Sequence, residues 1–373
     1  MYFAFSRIGL FVTAVLLAGT VSAAPSYSYK NLGTLGGALS SASAINNAGQ
    51  IVGTSANGAG VDRATLWSAG GIRDLGTTGG VSSRANAINN RSEIVGASAE
   101  RGADQLRAAS WSGSQATSLP QLGSGASYAM AVNNVGVRAG IASVGNGAEH
   151  ATRWSGASAT DLGTLGGFSS YAHAINDAGT IVGAASTGME DMHATRWDGN
   201  AVVDLGTLGG SYSWAYAINS SGKTVGYAAL AGDVAARATI WNGEIASELF
   251  TMGWNNSAAY GINTGGKVVG KAWNEVGAEH AVLWDGNAMF DLNSFLDPGS
   301  VTAGWVLRSA NGINDDGWIV GNAYNTRTGM TSAFLLSAVP EPGQMTLLLA
   351  GLLLVAGMRR RKKLRTVGIR QAA

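Results

Sequence analysis

Three histidines, His150, His193 and His280, and four aspartates that each precede a leucine, Asp74, Asp161, Asp204 and Asp291, are the residues of this chain best suited to acid–base chemistry or metal binding. Their spacing argues against both. Each histidine stands at the same place in a segment that recurs along the chain, and Arg63, Arg107 and Arg237 take that place in other segments. A position that accepts either His or Arg suits a solvated or hydrogen-bonding residue at a strand start. The aspartates are likewise one to a segment, so they do not converge at the carboxylate separation that glycoside hydrolysis requires. Hydrogen bonding at a turn or strand end is the work expected of them.

Other local patterns reduce to turns in the same way. The runs Asn176-Asp177-Ala178-Gly179 and Asn314-Asp315-Asp316-Gly317 lack the alternating oxygen ligands and distal glutamate of a calcium loop, and read as turns. The "LGTLGG" runs carry no phosphate-binding lysine and precede no evident helix, which argues against a nucleotide loop. There is no cysteine, which removes thiol catalysis, thiolate metal sites and disulfides. No cofactor and no metal are expected.

The elements that position these residues form a repeat. Aligned on one Asn, the copies fall at Asn46, Asn89, Asn133, Asn176, Asn219, Asn263 and Asn314, with spacings of 43, 44, 43, 43, 44 and 51. A second marker trails by 21 or 22 residues: Trp67, Trp111, Trp154, Trp197, Trp241, Trp284 and finally Leu336. Each copy offers four short β candidates, in the fourth copy "AHAIN", "TIVGAAS", "HATRW" and "VVDLGTL", separated by Gly- and Asn-containing turns. Short strands repeating at this period predict an all-β, seven-bladed β-propeller of four-stranded blades over residues 27–337. The stretch Tyr29 to Leu35 is a lone copy of the "DLGTL" strand, and none follows Leu336, so the start of the chain is expected to complete the seventh blade. In this scheme "AxAIN" is innermost, "DLGTL" outermost, and the Trp column packs between blades.

The two ends read differently. Residues 1–23 place Arg7 before an apolar run and end on Val21-Ser22-Ala23, the pattern of a secretory signal peptide. At the other end, Pro340-Glu341-Pro342 lies in a linker (338–344), followed by an apolar segment (345–358) and a basic tail (359–373) opening on Arg359-Arg360-Arg361. The cations would remain on the cytoplasmic side. With Arg7 and the seven cations of 359–373 set aside, 16 basic residues face 23 acidic ones, a net charge of −7. That balance disfavours a nucleic-acid partner.

The C-terminal combination resembles the PEP-CTERM sorting signal of Gram-negative exported proteins, although ten residues follow the basic cluster. The resemblance implies an exosortase as processing partner, transient residence of a transmembrane sorting helix in the inner membrane, and a final place at the cell surface or in the extracellular matrix. The body resembles the HAF-repeat family of exported bacterial proteins, on His150-Ala-Thr, His193-Ala-Thr, His280-Ala-Val and Ser332-Ala-Phe. Thr frequently replaces Phe, and Arg replaces His at the three positions named above. That resemblance implies repeat architecture and export rather than an activity.

What varies between copies points to function. Directly before "AxAIN" stand Ser41, Arg84, Tyr128, Tyr171, Trp214, Ala258 and Ser309. These are expected on the outer-to-inner loops, ringing one face, with Arg84, Tyr128, Tyr171 and Trp214 as neighbours and Phe168 and Tyr212 close by. Exposed aromatics beside an arginine suit stacking on sugars or anchoring a protein. The expected function is therefore that of a non-catalytic surface or matrix protein, binding exopolysaccharide or an envelope protein through this face. The alternative is a propeller-type glycan hydrolase or lyase, for which His173 is the one inner-strand histidine.

Overall fold

The computed structural model describes residues 26–145 and 147–339, so the signal peptide, the Pro340–Pro342 motif, the sorting helix and Arg359–Arg361 lie outside the described residues. Within them the chain forms seven antiparallel four-stranded sheets, arranged as a seven-bladed β-propeller. Six blades use consecutive strands. The seventh takes its outer strand, Tyr27–Asn31, from the beginning of the chain, paired to Thr331–Ala338 with Tyr27 opposite Ala338. The last blade ends one residue beyond the expected boundary at Ser337. The long final repeat is explained by a 3₁₀ turn, Leu292–Phe295, and a short helix, Pro298–Thr302, inserted before the inner strand Trp305–Ile313.

Blade 4 shows how sequence becomes structure. Its strands are Gly166–Ile175, Ile181–Thr187, Met192–Asp198 and Ala201–Asp204, from the axis outwards. Two expectations need correction here. The outer strand ends at Asp204, and Leu-Gly-Thr-Leu is a loop rather than a strand. The aspartate causes this: its Oδ1 accepts the Gly206 N–H at 2.7 Å, and Gly206 turns the chain at φ 70°. The inner strand is also longer than "AxAIN". It begins at the Gly-Gly pair and carries a β-bulge between Ala172 and Ala174. The variable column consequently sits within the inner strands, not on the loops.

The bulge dictates a residue in the strand beside it. A Cβ on Gly183 would lie 1.8 Å from the Tyr171 carbonyl oxygen, and the equivalent approach recurs at Gly53, Gly96, Gly140, Gly226, Gly270 and Gly321. Every blade therefore needs glycine there.

Neighbouring blades are joined by buried apolar and polar contacts. The Trp column is 0–3% exposed and Leu336 is fully buried, as expected of an inter-blade packing layer. Trp154 Nε1 donates to the Pro120 carbonyl at 2.8 Å, and Trp284 Nε1 to the Phe250 carbonyl at 2.7 Å. Buried inner-strand serines, such as Ser170, accept the N–H of an alanine in the third strand of the preceding blade, here Ala151 at 2.9 Å. The same bond closes the ring, from Ala333 N to Ser40 Oγ at 3.0 Å.

Strand directions fix two faces. The turns that follow the inner strands, at Asn46 and its equivalents, lie on one face; the outer-to-inner loops open on the other. The chain enters and leaves the propeller at the rim of blade 7 on the Asn face, where Val339 N donates to the Ser26 carbonyl at 2.9 Å.

Candidate functional site

On the Asn face, each repeated Asn makes two kinds of bond. Its Oδ1 accepts the backbone N–H four residues on, as from Val137 to Asn133 at 2.9 Å, and shapes the turn. Its Nδ2 donates to the backbone carbonyl of the equivalent Asn in the next blade. That contact runs Asn46, Asn89, Asn133, Asn176, Asn219, Asn263, Asn314 and back to Asn46, at 2.9–3.4 Å. Seven buried amides thus form one closed hydrogen-bonded ring about the axis. Outside it lies a depression of about 280 Å³ lined by the Ile/Val and Asn columns and by Asn47, Asn90, Asn134, Asp177, Ser220, Thr264 and Asp315. Burial alone would raise the Asp315 carboxyl, but hydrogen bonds from Thr264 and Asn47 outweigh it and hold the group below its usual range.

The histidines and aspartates pair within their blades, as hydrogen-bonding residues. His150 Nδ1 meets Asp161 Oδ2 at 2.7 Å, His193 meets Asp204 at 2.8 Å, and His280 meets Asp291 at 2.6 Å. Arg63 reproduces the bond with Asp74 at 2.9 Å, which explains why His and Arg interchange. Among the described residues no three His, Asp or Glu side chains gather as a metal site.

The variable column does not behave as a uniform ring. Tyr171 and Trp214 touch, with ring centroids 5.6 Å apart. Arg84 stands apart and pairs with Asp62 at 3.1 Å, both side chains well exposed. Tyr128 is half-buried. Phe168 is 51% exposed near the mouth opposite the Asn ring, where its backbone N–H donates to Glu190 at 3.2 Å. Tyr212 packs against Tyr227 at 6.1 Å.

Spacing alone did not bring out a second column, the bulge residues themselves: Ser43, Asn86, Met130, His173, Tyr216, Tyr260 and Asn311, all half-buried. Several of them lean on the inner strand of the next blade. Asn86 Nδ2 donates to the Ala129 carbonyl at 2.9 Å, and Asn311 Nδ2 to the Ala42 carbonyl at 2.8 Å. Between these, in blades 4 to 6, the column turns aromatic. His173 lies 5.7 Å from Trp214 and 5.0 Å from Tyr216; Tyr216 lies 5.9 Å from Tyr227 and 5.3 Å from Tyr260. The signal was present in the sequence as the variable x of "AxA".

The axial wall therefore has two sectors. Blades 4 to 6 present Tyr171, Trp214, His173, Tyr216, Tyr227 and Tyr260 as one connected aromatic arc. Blades 7, 1 and 2 present Ser309, Asn311, Ser41, Ser43 and Asn86. Burial raises the Tyr216 and Tyr260 hydroxyls well above ordinary tyrosine, their proximity to neighbouring tyrosines adds to the rise, and burial also raises Tyr227. Burial also lowers His173 to about 4, so its imidazole is neutral at pH 7. Two polar atoms of this wall are enclosed without partners, His173 Nε2 and Asn322 Oδ1.

No family model matches this chain, and no curated protein matches it. Among solved structures it is similar to TolB from Acinetobacter baumannii, with 14% identity and a TM-score of 0.44 over 77% of this chain. The match spans 63% of that protein's length.

Proposed function

We propose that this protein is an exported, non-catalytic surface or extracellular-matrix protein that binds exopolysaccharide through the mouth opposite the Asn ring. The observation that carries the reading is the aromatic arc of blades 4 to 6. It occupies positions at which the fold accepts Ser, Asn, Met or Ala in other blades, so packing does not demand these rings. Half-buried aromatic rings opposite a wall of Ser and Asn match a sugar, which has an apolar face and hydroxylated edges. An envelope protein is the other partner of the same chemistry.

Two observations weigh against the hydrolase or lyase alternative. A histidine at about 4 is a weak base at neutral pH. Asp74, Asp161, Asp204 and Asp291 are each engaged by a cation or imidazole of their own blade.

The test is binding of matrix glycans to the full chain purified from cells, compared with Tyr171→Ala/Trp214→Ala. Saturable binding that is lost in a folded double variant supports the reading; equal binding by both sinks it. Release of new reducing ends by wild type but not by His173→Asn would replace it with the enzyme alternative. Export and sorting rest on the two terminal signals. Replacing Pro340-Glu341-Pro342 by alanines should leave unprocessed chain in the inner membrane, and unchanged surface delivery would overturn the exosortase step.

A further inference from the structure

The inner strand of blade 7 differs from its six counterparts in one respect. Blades 1, 2, 4 and 5 absorb two extra residues near the start of this strand, between Gly36 and Ser40 in blade 1 and at equivalent places. Blades 3 and 6 show no register shift there. Blade 7 has a single-residue bulge, and the extra residue is Arg308, between Leu307 opposite Ala323 and Ser309 opposite Asn322.

Bulges re-aim side chains, and the consequence here is specific. Leu307 stays fully buried while Arg308 is turned out to solvent. Its guanidinium lies 3.7 Å over the Tyr324 ring, and among the described residues no carboxylate pairs with it. Arg84, the other inner-strand arginine, is already held by Asp62. The Tyr324 platform supports the guanidinium from one side and leaves its donor edges open. The enclosed, unpartnered Asn322 Oδ1 belongs to the same pair of strands. Blade 7 adjoins blade 6, where Tyr260 ends the aromatic arc, so Arg308 stands at the edge of the surface proposed for sugar stacking.

We infer that Arg308 is a specificity residue for an acidic glycan, taking a sugar carboxylate while the aromatic arc holds neighbouring rings. This rests on the glycan-binding reading above. A planar guanidinium fixed by stacking suits bidentate recognition of a carboxylate. The net charge of −6 over residues 27–337, with 16 basic and 22 acidic residues, does not prevent it, because at physiological ionic strength charges beyond about 8 Å are largely screened and the local cation decides.

The experiment measures binding of the full chain to polygalacturonate as the acidic probe and to dextran as the neutral one, for wild type, Arg308→Gln, Arg308→Lys and Trp214→Ala. Circular dichroism checks the fold of each. The expected result is saturable binding of the acidic polymer, weakened about ten-fold or more by Arg308→Gln, equivalent to about 1.4 kcal/mol. Arg308→Lys should recover only part of it, and rising salt should weaken wild type more than Arg308→Gln. If wild type binds both polymers alike and Arg308→Gln changes neither, this inference is overturned while the glycan reading stands. If wild type binds neither these probes nor matrix glycans, the glycan reading fails and takes the inference with it.

Discussion

The Asn ring and the aromatic arc lie along the same axis, on the same strands, a few residues apart, yet they follow opposite rules. At the ring, seven blades carry one residue type in one geometry, because each amide must serve both its own turn and the next blade. At the arc, equivalent positions carry Ser, Asn, Met, His and Tyr, and only three consecutive blades agree. Invariance marks the place where a residue closes the structure; variation marks places where the structure makes no demand. A repeat protein thus separates stability from recognition by position, and the separation can be tested from the frame inwards.

The largest loss is expected in the frame. Trp154→Ala removes a fully buried indole and its bond to Pro120, and should cost about 3–5 kcal/mol in denaturant unfolding. Asn133→Ala leaves Val137 N–H without its partner and the Asn176 carbonyl with only the Gly179 N–H, which should cost about 1–3 kcal/mol. A loss under 1 kcal/mol would deny the ring its structural role. On the arc, Trp214→Ala should reverse the balance: ligand binding falls at least ten-fold, while unfolding shifts less than for Trp154→Ala. An equal stability loss at both tryptophans would erase the contrast.

His173 sharpens the comparison through pH. Its folded value of about 4 lies below the ordinary 6.5, so the unfolded chain takes up a proton first as pH falls. This contribution to stability is present above about 6.5 and is lost progressively down to about 4, with a limiting slope of about 1.4 kcal/mol per pH unit. Replacing the imidazole, as in His173→Phe, should flatten that part of the stability profile, and an unchanged profile would place the histidine in contact with water. The smallest effect belongs to Arg84. Its exposed pair with Asp62 should contribute under about 1 kcal/mol, so Arg84→Ala should leave both stability and binding nearly unchanged.

The sequence made the architecture legible where one residue type answers one demand. The Trp column, the turn glycines and the lone opening strand were enough to count seven blades and to close them. It misled where local propensity and hydrogen bonding disagree. Leu-Gly-Thr-Leu looks like a strand, but the aspartate before it captures the glycine N–H and stops the ladder. The bulge hid half of the arc, because an extra residue breaks the two-residue alternation by which faces are read. Tyr171 and Trp214 could be picked out as variable; His173, Tyr216 and Tyr260 needed the register. Arg84 looked like a partner for the rings only because its own partner, Asp62, lies in the preceding blade.

The seam of blade 7 also decides how the molecule responds to tension. Tyr27–Asn31 and Thr331–Ala338 are antiparallel, and the two ends of the propeller, Ser26 and Val339, lie side by side. A force drawing those ends apart loads the ladder one hydrogen bond at a time, beginning at Val339. The belt unzips at its buckle instead of shearing across it, so the disc yields first in blade 7, beside Arg308, while the amide ring still holds the other six blades in register.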